Sequence, residues 1–170
     1  RSAPLHHRSP AVSTHDHTEA GRRHAAVVYN PVKTPLERLR PVVAEYEVQH
    51  GWEQTRWYET HSDDAGRAAA EHALAADPAV VMVAGGDGTV RAVAEVMQGT
   101  GIPVALVPLG TGNLLARDIG APLNDIAACV SVAFAGEDRS VDVGVAELED
   151  ESGARRSHAF MVMAGIGLDA

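Results

Sequence analysis

From residue 24 the chain alternates two kinds of apolar spacing. "HAAVVYN" (24–30) is a short apolar run that ends at Asn30-Pro31, where proline stops a ladder of strand hydrogen bonds. Beyond it Leu36, Leu39, Val43 and Tyr46 recur at helical spacing; Thr34 with Glu37 predicts a capping box, and Pro35 suits the first turn. Pro41, inside that stretch, predicts a kink or a reset start. A second strand is expected around Trp52 to Glu59, then a helix from about Asp63 to Ala76 with acids in its first turn, where the helix dipole favours them. The strand Ala79 to Ala84, a helix from Gly88 to Gln98, the strand Ile102 to Val107 and a helix opening near Asn124 complete the pattern. In the last, Ile126, Val130 and Phe134 share one side and Gly136 is placed to end it. Four strand-then-helix units in succession predict an α/β fold with a doubly wound, mostly parallel sheet, which binds ligands beyond the carboxyl ends of its strands.

After Ser140 the pattern changes. "SVDVGVAEL" and "HAFMVMAGIGL" are two strand-like runs joined by the acidic "EDESGARRS", with no helix between them. They read as a β-hairpin that begins a second, all-β domain, truncated here because the chain ends at Ala170. At the other end residues 1–23 are polar, Pro-containing and without period, the signature of a disordered tail or linker. The expected organisation is therefore a tail (1–23), an α/β nucleotide-binding domain (24–138) and the first strands of an incomplete β domain (139–170).

Composition narrows the class. Of 170 residues 45% are apolar but only 4% aromatic, so the core must be Ala, Val, Leu and Ile, which suits helices packed on a Val-rich sheet. A net charge of −9 argues against a sequence-independent grip on nucleic acid and against broad attraction to anionic membrane. No apolar run approaches the roughly 18 residues of a spanning helix. Cys129, the single cysteine, cannot form an internal disulfide and reads as a small packed hydrophobe. The chain reads as soluble and cytoplasmic, touching membranes only from outside.

Chemistry concentrates in three loops that follow predicted strands: Asn30 to Thr34, Gly85 to Thr89 ("GGDGT") and Pro108 to Asn113 ("PLGTGN"). In a parallel sheet all three open on one edge and can converge on one ligand. Gly85, Gly86 and Gly88 admit close approach of backbone amides, the following helix offers oriented N–H groups to an anion, and Thr89 and Thr111 add hydroxyls. That combination predicts a polyphosphate cradle. It is neither a Walker motif, since no Lys follows the glycines, nor a dinucleotide fingerprint, since G-x-G-x-x-G is absent. Trp52 and Trp57 read as strand packing, and Asp63 and Asp64 as helix-start charges; His61 lies near the ligand edge.

"GGDGTV" (85–90), "PLGTGNLLARDIG" (108–120), "VDVG" (141–144) and "AGIGLDA" (164–170) resemble, in order and spacing, the diacylglycerol kinase catalytic domain family, which includes bacterial lipid kinases and sphingosine and ceramide kinases. GGDGT alone is shared with NAD kinases and phosphofructokinases, whose fold the resemblance also implies. It implies ATP phosphates along Gly85, Gly86, Asp87, Gly88 and Thr89, with Asn30, Thr60, Gly110, Thr111 and Asn113 also at the nucleotide. It further implies Mg²⁺ linked to Asp87 and Asp142, with Asp87 the catalytic residue, as the γ-phosphoryl moves to a lipid hydroxyl. This chain departs from the pattern at three places. Leu114 stands where many members carry Asp after the GTxN asparagine, although Arg117 is kept. "NPVKT" replaces Asn-Pro-x-Ser-Gly, which leaves Lys33 as a phosphate contact in place of backbone amides. Arg91 and Ala92 stand where Asn and Glu are frequent.

The family's general base and much of its lipid cleft lie in the all-β domain that follows. These 170 residues are accordingly expected to bind nucleotide weakly or not at all and not to turn over lipid. The expected partners are ATP and a lipid substrate met by transient peripheral contact with a membrane surface, with a homodimer left open and no nucleic acid. Two other readings share the same loops: an NAD or sugar-phosphate kinase, and a non-catalytic nucleotide-binding regulatory module.

Overall fold

Strand β1 (Ala25–Tyr29) is buried at every position, as a central parallel strand covered on both faces must be. The structure is a computed structural model describing residues 23–137, 144–149 and 155–160. In it β1 pairs in parallel with β2 (Arg56–Glu59) on one side and β3 (Val80–Gly85) on the other, and β3 pairs in parallel with β4 (Val104–Pro108). The order is therefore β2-β1-β3-β4.

Strand alternation sorts the core into two halves. Val27, Tyr29, Met82 and Val107 pack with α1 (Leu36–His50) and α5 (Ile126–Ala135) through Leu39, Val43, Val130 and Phe134. Val28, Val81, Val83 and Leu106 pack with α2 (Arg67–Ala75), α3 (Asp87–Met97) and the short α4 (Leu114–Asp118) through Ala70, Val93 and Leu115. Helices thus cover both faces, and the sheet is doubly wound as expected. From β1 the chain moves outward to β2 through α1, then returns past β1 to β3 through α2 on the opposite face, which keeps both crossovers right-handed. The reversal leaves a crevice between the carboxyl ends of β1 and β3.

Several local signals in the sequence resolve differently in the structure. Thr34 does not cap α1, whose N-cap is Pro35 without a side-chain bond; its hydroxyl donates instead to the Ala84 carbonyl at 3.1 Å and ties the first loop to β3. Pro41 lies inside an uninterrupted α1, where it forgoes one amide bond, that to the carbonyl of Glu37. Helix α2 begins at Arg67 behind Gly66, and its first turn carries no acid. Asp64 instead caps the preceding turn, accepting from the Gly66 and Ala68 amides, both at 2.8 Å. These two bonds, chiefly that from Ala68, hold its carboxyl below the usual range. Asp125, by contrast, caps α5 by accepting from Ala128 N at 2.9 Å, and the Gly136 amide closes its last turn on Val132.

Strand β2 is only four residues long; upstream of it the Trp52 amide donates to the Glu47 carbonyl of α1 at 2.9 Å and its ring packs on that of Phe134, with centroids 4.8 Å apart. Trp57 meets Tyr29 edge-on at 6.1 Å and carries the Arg40 guanidinium 4.2 Å above its ring. Both indoles are packing elements, as anticipated. Cys129 is buried, its thiol pushed up to about 11 mainly by burial, with Sγ donating to the Pro122 carbonyl at 3.4 Å.

Strands β5 (Gly144–Glu149) and β6 (Arg155–Phe160) form a separate antiparallel pair with Glu149 opposite Arg155. Strand β6 starts three residues before His158, so part of the expected connecting loop is strand. The tail up to residue 22, Asp142 and the "AGIGLDA" segment lie outside the described residues. Among the described residues no helix is long and apolar enough to cross a membrane.

Candidate functional site

The carboxyl ends of β1, β2 and β3 open into a cleft of about 460 Å³ at the crevice that the topology creates. Its walls are the loop from Asn30 to Lys33, the stretch Glu59 to Ser62 with Ala65, and Gly86 to Thr89 at the start of α3. The sequence-predicted residues Asn30, Lys33, Thr60, Gly86, Asp87, Gly88 and Thr89 are therefore gathered in one place.

Each wall is built by its own local physics. After β1 the Asn30 side chain accepts from the amides of Val32 (3.0 Å) and Lys33 (3.2 Å), an Asx turn that fixes the loop without glycine. The turn sends Lys33 over the glycine loop: a Cβ added at Gly86 would lie 3.5 Å from Lys33 Nζ. Gly86 precedes the first turn of α3, where the amides of the first residues have no partner within the helix and the dipole is positive. At Gly88 an added Cβ would meet nothing within 4 Å, so its backbone faces open space. A cation and helix-terminal amides thus converge on the same volume.

The floor is made of threonines. Thr60, just after β2, and Thr89 are both buried, and both lie beside Gly66. A Cβ at Gly66 would come within 2.6 Å of Thr60 Cγ2, and the residue sits at φ +106°, which only glycine holds without strain. Gly85, the last residue of β3, lies under the floor, where an added Cβ would meet the Thr89 hydroxyl at 3.0 Å.

Gly110, Thr111 and Asn113 do not line the cleft; they belong to a second loop packed against its glycine wall. A Cβ at Gly110 would lie 2.8 Å from the Gly86 Cα, so the two backbones touch. Asn113 (φ +49°) spends its amide on Gly110, accepting from its N–H at 3.0 Å and donating to its carbonyl at 2.7 Å. Asp87 bridges the loops, because its Oδ1 accepts from the Leu114 amide at 2.8 Å. Arg117 Nε donates to the Gly112 carbonyl at 2.8 Å and closes the turn from the other side. Thr111 is exposed on this loop. Among the described residues no three His, Cys, Asp or Glu side chains converge on a point; the two carboxylates that line the cleft, Asp87 and Glu59, lie on different walls.

Sequence reasoning missed Glu59, Ser62, Ala65 and Gly66. The glycine of "SDDAG" after β2 was the available signal for the last: a glycine immediately before a helix, at the same sheet edge as the other loops.

Fold and cleft define a doubly wound α/β domain with a pocket walled in part by glycines and Lys33 at its topological switch point. Residues 24–146 match the family model described as "Diacylglycerol kinase catalytic domain", and the chain belongs to that family. It is 36% identical over 105 residues to a diacylglycerol kinase of Mycobacterium tuberculosis, covering 59% of this chain and 33% of that protein. With a diacylglycerol kinase of Bacillus subtilis it shares 32% over 130 residues, covering 72% of this chain and 41% of that one. The chain thus spans well under half the length of these relatives. A crystal structure of a diacylglycerol kinase from Bacillus anthracis superposes with a TM-score of 0.52 at 23% identity over 66% of this chain and 43% of that one, which establishes the shared fold.

Proposed function

We propose that this chain is the nucleotide-binding part of an ATP-dependent lipid kinase, which moves the γ-phosphoryl of ATP to a lipid hydroxyl such as that of diacylglycerol and so yields a phospholipid such as phosphatidic acid. The observation that carries the proposal is the placing of the Lys33 ammonium over Gly86 at the open N-terminus of α3. In a site that accepts polyphosphate, the amides of Asp87, Gly88 and Thr89 and the Lys33 ammonium hold its oxygens, and Thr60 and Thr89 support the floor beneath them. The names of the relatives point to a lipid acceptor and away from NAD or a sugar phosphate.

Magnesium neutralises phosphate charge in such transfers and keeps several waters. With no ready-made ligand cluster among the described residues, the cleft suits an ion that arrives with the nucleotide; Asp87, at the start of α3, would meet it, with Asp142 as a second carboxylate. Gly110 and Asn113 act at one remove, by holding the glycine wall in place. The hairpin β5–β6 opens the β domain, which on this reading supplies the general base for the lipid hydroxyl, and contact with a membrane is peripheral.

Titration of ATP with magnesium into the chain, followed by calorimetry, tests the first half of the proposal. Lys33→Ala is expected to weaken binding by about tenfold or more, since a charge-assisted hydrogen bond contributes roughly 1.5–3 kcal/mol. Labelled ATP offered to a preparation carrying the whole catalytic region, with diacylglycerol and NAD in parallel, tests the second. Label in NAD and none in lipid would overturn the lipid reading.

A further inference from the structure

The cleft is lopsided in charge. The α3 N-terminus and Lys33 lie along one wall, while an exposed carboxylate, Glu59, ends β2 along another. The sheet register sets their separation: Glu59 is level with Tyr29 and Tyr29 with Ala84, so the carboxylate's strand lies two strand spacings from β3, about 10 Å. A carboxylate is a poor neighbour for phosphate and a good acceptor for hydroxyl groups. Strand alternation places Glu59 with Trp57 on the α1 side, beneath the loop that leads into that helix. There the Tyr29 hydroxyl donates to Glu59 Oε2 at 3.2 Å, which orients the group and leaves Oε1 for another donor. Among the described residues no cation lies within ion-pair distance of Glu59.

We propose that Glu59 reads the ribose: with the phosphates against α3, its carboxylate accepts hydrogen bonds from the sugar hydroxyls of a ribonucleotide, and Tyr29 positions it to do so. Doubly wound folds that hold a pyrophosphate at a helix N-terminus commonly place an acid at the ribose in this way, and here the acid arises from β2. The inference rests on the nucleotide reading above and adds to it a polarity, phosphate towards α3 and sugar towards β2.

The test is equilibrium binding of ATP, 2′,3′-dideoxy-ATP and inorganic tripolyphosphate to the full chain and to its Glu59→Ala and Tyr29→Phe variants. The full chain is expected to prefer ATP over the dideoxy analogue by about tenfold, the usual worth of a hydrogen bond to a charged group. Glu59→Ala should bring that ratio close to one while leaving tripolyphosphate affinity unchanged or slightly higher, and Tyr29→Phe should lower it partway. An unchanged ratio in Glu59→Ala, or no preference in the unaltered chain, overturns the role of Glu59 and leaves nucleotide binding standing. Failure of a preparation carrying the whole catalytic region to bind any of the three overturns the nucleotide reading itself and the proposal with it.

Discussion

Asp87 holds two roles that a single substitution would confuse. Its Oδ1 secures the Leu114 amide, while the same carboxylate faces the cleft. Asp87→Asn keeps an oxygen for that amide and removes the charge; Asp87→Ala removes both. We expect Asn to leave thermal stability nearly unchanged while weakening magnesium-dependent ATP binding, and Ala to cost a further 1–2 kcal/mol or so of folding stability. Equal unfolding midpoints for the two variants would contradict the bridging role. His24 tests a different corner. It is buried at the start of β1, far along the strand from the cleft, and its Nε2 has no hydrogen-bond partner among the described residues. Burial first, then Arg56, lowers its pKa below 6.5. The unfolded chain therefore binds the proton more readily, and stability is full above about pH 6.5 and falls as pH drops from there towards the lower folded value. Urea midpoints between pH 7.5 and 5.5 should show this fall, and His24→Leu should flatten it. A slope that persists in the variant would remove His24 as its source.

Among the elements, the two loops behind the cleft are joined backbone to backbone, and their glycines are not equivalent. Gly110→Ala drives a Cβ into the Gly86 Cα and must part the loops, with an expected loss of about 1–3 kcal/mol and of nucleotide affinity together. Gly88→Ala meets nothing in the free chain, so folding should be unaffected while a phosphate close to that backbone would be hindered. Thermal melts paired with ATP titrations separate the two cases; a destabilised Gly88→Ala would contradict the open geometry. The elements were largely legible in the sequence because a parallel sheet buried on both faces writes itself as uninterrupted apolar runs, as at Val80 to Ala84. Two of the three loops were legible because glycines followed those runs, and the first because Asn30-Pro31 ended one. Hidden features depended on partners distant in sequence. Thr34 looked like a helix cap, yet its hydroxyl found a carbonyl 50 residues away. The five-residue α4 was too short for a periodic signal, and Glu59 looked like the polar end of a strand until the order β2-β1-β3 set it beside the cleft.

At the scale of the molecule, a chain of net charge −9 sets one lysine, Lys33, beside a helix N-terminus at one sheet edge. The long-range field opposes an approaching polyphosphate while the local field holds it. Raising ionic strength from about 10 to 150 mM shortens the screening length from roughly 30 to 8 Å. Association of magnesium-ATP should accordingly quicken over that range, and dissociation should quicken as well because the Lys33 contact is weakened. Stopped-flow measurement of both rate constants checks this, and association that slows with salt would mean that the cleft's own potential dominates the encounter.

The burial of Cys129 gives the chain an internal clock. It is the only thiol in the sequence, it lies on the buried face of α5 against the sheet, and its pKa of about 11 leaves almost no thiolate at pH 8. A thiol reagent can then modify it only through openings that undo the sheet packing. Where reclosing outpaces modification, ligand at 100 times its dissociation constant should slow labelling by about a hundredfold. The rate of colour development would thus report nucleotide affinity in the unaltered protein, with no dye attached and no activity required.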